Sequence, residues 1–108
     1  MSRVIVESER ETDSGWRFVC RYSIPSGDRQ TLELGLSWAD YDLWAPDGSV
    51  APEHVAAAVL DLLLEYDEEP ARDRIDAAHL RRMIPGSDEM IQKRIRRPGI
   101  SPGGTIRY

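Results

Sequence analysis

Two indoles and a phenol surround two carboxylates in the stretch Trp38-Ala39-Asp40-Tyr41-Asp42-Leu43-Trp44, the densest run of unusual side chains in this 108-residue chain. Two readings fit it. In the first, Asp40 and Asp42, joined by Asp47 and His54, supply ligands to a divalent cation, because hard cations need several oxygens converging on one point. That would make the region the centre of a metal-dependent enzyme. In the second, Trp38 and Trp44 close one end of the core while the carboxylates accept hydrogen bonds from nearby amides in a turn. Asp-x-Asp is common by chance, and the separation of Asp47 from His54 matches no recognised ligand spacing. The second reading is preferred, no metal or cofactor is expected, and Trp38, Asp40, Tyr41, Asp42 and Trp44 stand as a possible interaction surface.

The other reactive groups are few. His54 and His79 are the only imidazoles, and neither adjoins a cysteine or falls in a motif. Cys20 is the only thiol and lies on the apolar side of an alternating segment, where a buried thiol is usually inert. No nucleophile-elbow, phosphate-loop or dinucleotide-binding glycine pattern occurs. The inventory for acid–base work is short, so the reading leans against an enzyme.

Charge is distributed unevenly. The net charge is −5, but residues 1 to 92 carry 9 basic and 19 acidic side chains, whereas residues 93 to 108 carry 5 basic and no acidic ones. Lys93, Arg94, Arg96 and Arg97 are therefore the candidate nucleic-acid contacts, on a helix that could follow Asp76 to Ile84 in a helix-turn-helix. Arg82, four residues before Gly86, is too bulky for the close helix crossing such a motif needs. The acidic body would also repel a phosphate backbone. The simpler reading has these cations complementing the dipole at a helix end.

A chain of this length makes one domain, and 41% hydrophobic with 31% charged residues is ordinary globular composition. The longest unbroken apolar stretch, Val55 to Leu60, is far short of a bilayer span, so no membrane partner is expected. A lone cysteine forbids an internal disulfide and fits a reducing compartment, so a cytoplasmic protein is expected. The excess of Arg over a single Lys and the lack of Asn fit either a GC-rich genome or selection for heat resistance.

The elements that position these groups follow from periodicity. Trp16, Phe18, Cys20, Tyr22 and Ile24 alternate with polar residues, and Leu32, Leu34, Leu36 and Trp38 repeat the pattern, which predicts two strands. Arg3 to Glu11 is a third. Asp13-Ser14-Gly15 and Pro25-Ser26-Gly27-Asp28 supply turns, so the strands should form an antiparallel meander. Val55, Ala58, Val59, Leu62, Leu63 and Tyr66 mark a helix from about Ala51 to Tyr66, with Pro52 near its start. Ala56, Leu60 and Leu64 widen its apolar stripe, so it is buried on two sides or meets a second copy of itself. Asp76 should cap a short helix reaching Ile84, and Ser87 another bearing Met90, Ile91 and Ile95. The last eleven residues, from Pro98, read as a mobile basic tail beyond a domain of residues 1 to 97.

Pro52-Glu53, Ala58 through Glu65, Pro70, Ile75-Asp76, Met83-Ile84-Pro85 and Glu89-Met90-Ile91 together resemble a small prokaryotic family. Its members have a strand-rich start, a leucine-rich helix ended by an acidic-proline break, and aspartate-led short helices. The resemblance covers about half of the chain and implies element order alone, since no activity attaches to that family. Met83-Ile84-Pro85-Gly86 stands where such relatives carry aromatics. The expected architecture is α+β, a three-stranded antiparallel meander packed on one long helix and followed by two short helices. The expected role is a non-catalytic interaction module that self-associates or docks on a protein partner. The alternatives are nucleic-acid binding and metal-dependent catalysis.

Overall fold

Period-2 alternation becomes a sheet in the computed structural model, which describes residues 3–96. Strand β1 (Val4–Glu11) pairs antiparallel with β2 (Gly15–Ser23), and β2 with β3 (Arg29–Ser37). Phe18, Cys20, Leu32, Leu34 and Leu36 share one face and are buried, while Arg17, Val19, Arg21 and Glu33 fall on the other. Trp16 is only partly buried but packs on the same core. A bulge between Val6 and Ser8 shifts the register of β1, so its outer half presents charge along an exposed edge. Gly27, at φ 97°, makes the turn into β3.

Helix α2 (Pro52–Tyr66) packs on the core face of the sheet. Pro52 occupies its first turn with Glu53, where the positive end of the dipole favours an anion. Val55, Val59, Leu62 and Leu63 are buried, as are Ala56, Leu60 and Leu64 on the widened side of the stripe. Helix α4 (Ser87–Arg96) lies against that helix and contributes Ile91 and Ile95 to the core. The surplus apolar surface of α2 is thus covered within one chain. Each fully buried leucine contributes roughly 1.5–3 kcal/mol relative to exposure, which makes this sheet–helix core the main source of stability.

The α+β class holds, with three departures in detail. A fourth strand, β4 (Arg74–Asp76), joins the edge of β3 in parallel, giving the order β1-β2-β3-β4. Three residues are too few to show a period of two. Asp76 therefore ends a strand, and a 3-10 turn over Ala77–His79 leads into the four-residue helix α3 (Leu80–Met83) where one longer helix was expected. Finally, β3 stops at Ser37 and Trp38 opens a helix, α1 (Trp38–Trp44), where a turn was expected. The cause is local: the Ser37 hydroxyl accepts from the Asp40 amide at 3.1 Å and caps the first turn. Arg97 and the tail 98–108 lie outside the described residues.

Two predictions follow from the packing. A Cβ at Gly15 would stand 2.0 Å from the Leu36 carbonyl oxygen and 2.7 Å from Ser37 Cα, both immovable backbone. Gly15→Ala should cost roughly 3 kcal/mol in chemical denaturation, the upper range of an overpacking penalty. Burial, reinforced by the Glu7 carboxylate, pushes the Cys20 thiol up to about 12 from its ordinary 9.0. The native state therefore binds this proton more tightly than the unfolded chain does. The resulting stability is complete below pH 9.0 and is lost as pH climbs toward 12. Iodoacetamide at neutral pH should label Cys20 only in denaturant, and rapid labelling of the native protein would contradict the buried site.

Candidate functional site

Helices cover one face of the sheet, and the chemistry collects on the other, beside β3 and β4. Arg17 is the pivot. Its Nε lies 3.5 Å from Glu33 Oε2 and its Nη2 3.5 Å from Asp76 Oδ1, while Arg74 Nη2 donates to the same Glu33 oxygen at 3.1 Å. The hydrogen bond from Arg74 holds the Glu33 carboxyl below the usual carboxylate range. Arg17 Nη1 is buried and lacks a hydrogen-bond partner among the described residues. Gly35 leaves room for this cluster: a Cβ there would stand 2.5 Å from Asp76 Oδ1 and 3.2 Å from Arg17 Nη1, and those side chains would have to shift.

Two half-open grooves meet at Arg17 and Asp76, which line both. The first, about 260 Å³, is walled by Thr12, Ser14, Ser37, Asp40 and Trp16. It offers hydroxyls and carboxylates beside an indole. The second, about 200 Å³, is walled by Arg72, Arg74, His79 and Arg82. His79 Nδ1 lies 3.5 Å from Arg82 Nη2. A third, more apolar hollow of about 140 Å³ shares Arg72, Ile75 and His79 with the basic groove and is walled by Leu32, Leu63 and Met83. A negatively charged chain thus carries a concentrated basic groove at one edge of its sheet.

The residues singled out from sequence fall in separate places. Asp40 is buried and accepts from Arg81 Nη2 at 2.6 Å, and that hydrogen bond is the leading cause of the raised Arg81 pKa. Arg81 Nε donates to Asp88 at 2.9 Å and the guanidinium stands 5.3 Å from the centre of the Trp44 ring. The Trp44 indole N–H donates to the same Asp88 oxygen at 2.8 Å. Asp40 and Trp44 thus tie α1 to α3 and α4. Tyr41 is half-buried, packs edge-on against Trp16 and donates its hydroxyl to the Val50 carbonyl. Trp38 and Asp42 face outward, Trp38 with 43% of its surface exposed. Asp47 accepts from the Ser49 amide and hydroxyl, which lowers its pKa. Among the described residues no three His, Cys, Asp or Glu side chains gather as a metal cluster.

Of the basic helix residues, Lys93 and Arg96 are exposed and Arg94 is buried. Arg94 reaches back to α2, pairing with Asp61 and, at 2.9 Å, with Glu65. Sequence reasoning missed the basic groove entirely. Its members are drawn from β2, the loop before β4, β4 itself, the 3-10 turn and α3, so they are scattered from Arg17 to Arg82 along the chain. No family model, curated protein or solved structure matches the chain, and no helix of the described residues is long and apolar enough to cross a membrane.

The opposite orientations of neighbouring cations make a direct test. Arg94→Ala leaves the carboxylates of Asp61 and Glu65 without this partner and should destabilise the protein by about 2 kcal/mol, moderated because both acids reach solvent. Lys93→Ala should stay within about 0.5 kcal/mol of the parent in the same urea titration.

Proposed function

We propose that the protein is a non-catalytic interaction module that docks on a protein partner along the uncovered side of β3 and β4. The supporting observation is the pair of grooves joined at Arg17 and Asp76, polar on one side and basic on the other. A partner segment carrying acidic and hydroxyl side chains would match both in charge and hydrogen bonding. Trp38 and Leu43 on α1, each a little under half exposed, add apolar area of the kind that anchors interfaces. With the stripe of α2 covered within the chain, a separate protein is preferred to a second copy. A cytoplasmic setting fits the single free thiol. The nucleic-acid reading keeps only Lys93 and Arg96 as exposed contacts among the described residues, and docking is preferred to it.

A photoreactive residue in place of Ala78, which lines the polar groove, tests the reading in the full chain inside its host cell. One discrete protein adduct is expected, absent when Arg74 and Arg82 are changed to Glu, and absent when the probe replaces exposed Glu68 instead. Equal adducts at both positions, or none at Ala78, would overturn the proposal.

A further inference from the structure

The basic groove has a charge balance and a size of its own. Four guanidiniums, from Arg17, Arg72, Arg74 and Arg82, line it. Two carboxylates, Glu33 and Asp76, pair with Arg17 and Arg74. Two of the four guanidinium charges are left over. Arg72 and Arg82 have no carboxylate partner within ion-pair distance among the described residues. Arg17 adds an unspent donor at the junction, since its buried Nη1 has no partner.

We propose that this groove binds a phosphate-type dianion, held between Arg72, Arg74 and Arg82 with Arg17 at its inner end. A dianion matches the surplus of two charges, whereas one carboxylate would leave half of it unmet. Planar guanidiniums present paired donors that fit phosphate oxygens two at a time. At about 200 Å³ the groove suits one compact group. The adjoining hollow, walled by Leu32, Leu63, Ile75 and Met83 with the Asp67 carboxylate also in its lining, lies where the organic part of a phosphomonoester would rest. The site goes beyond the docking reading: inorganic phosphate needs no partner to bind it, and cross-linking at Ala78 needs no phosphate.

Titration of the full-length protein with inorganic phosphate, followed by amide shifts in a nitrogen–proton correlation spectrum at constant ionic strength, tests the site. Saturable shifts centred on Arg72, Arg74, Ile75, His79 and Arg82 are expected, with chloride producing none. The double variant Arg72→Ala/Arg82→Ala changes two exposed side chains, so it should fold with an unaltered melting temperature and bind phosphate at least about tenfold more weakly. Linear, unsaturated shifts, shifts equally strong at Lys93 and Arg96, or unchanged binding by the double variant would overturn the proposal. A phosphoserine peptide and its glutamate counterpart separate the sources. Tighter binding of the phosphopeptide than of inorganic phosphate assigns the dianion to a partner chain, and equal binding assigns it to a small phosphate ester. A glutamate peptide that binds as well as the phosphopeptide would defeat the dianion requirement.

Discussion

Everything in this molecule turns on a helix with more apolar surface than one neighbour covers. A surface helix keeps a stripe toward the core and a polar face toward water, yet α2 buries Val55, Ala56, Ala58, Val59, Leu60, Leu62, Leu63 and Leu64 around most of its circumference. Such a helix needs a second cover, and α4 supplies it with Ile91 and Ile95. Apolar contact alone does not orient a ten-residue helix. Arg94 does so, because its guanidinium meets Asp61 and Glu65, which stand one turn apart on α2. Arg3 from the start of the chain approaches the same Asp61 at 3.7 Å. The clamp joins the two ends of the described chain to its central helix.

Placing both covers on one side of the sheet leaves the other side bare. A bare sheet face must be polar, and here it is built from arginine and carboxylate pairs across neighbouring strands, Arg21 with Glu7 and Arg17 with Glu33. These exposed pairs contribute little to stability one by one. Their effect is positional: each carboxylate fixes a guanidinium that would otherwise sample many rotamers. The parallel strand β4 extends this lattice by one column and brings Arg74 and Asp76 beside Arg17. The short turns after β4 then lay His79 and Arg82 over the same edge. The grooves therefore form where this lattice meets α1 and the short helical elements after β4.

How much of this the sequence disclosed depends on distance along the chain. Strands β2 and β3 and helix α2 were legible because Phe18, Cys20, Leu32, Leu34, Val59 and Leu62 repeat at the period of their own element. The class and the shared core of Phe18, Leu34 and Leu62 followed directly. Strand β4 was hidden because a three-residue strand has no period and owes its form to the ladder offered by β3. Helix α1 was hidden because its aromatics and aspartates read as a turn, while the cap at Ser37 sits at the end of an alternating strand. Asp40 and Trp44 looked like a cluster with chemistry. Their partners, Arg81 and Asp88, lie about forty residues on and belong to other elements. Likewise Arg94 looked like its neighbours in a basic run until the fold turned it inward.

The acidity of the whole chain and the basicity of one groove do not conflict, because they act over different ranges. At physiological salt a charge is felt over about 8 Å, so an anion seated among Arg72, Arg74 and Arg82 responds to those guanidiniums before it responds to acids across the molecule. An extended polyanion has no such shelter. A long anionic chain entering the groove also meets Glu68 and Glu69, which are exposed a few residues before Arg72. Net charge thus acts as a filter of shape: it opposes long anionic chains while leaving a compact group free to enter. The same logic explains why the inward turn of Arg94 matters beyond stability. Taking that cation out of the exposed helix face leaves Lys93 and Arg96 there, with Arg96 acting on the Asp47 carboxylate, while three exposed guanidiniums gather at the edge of β4.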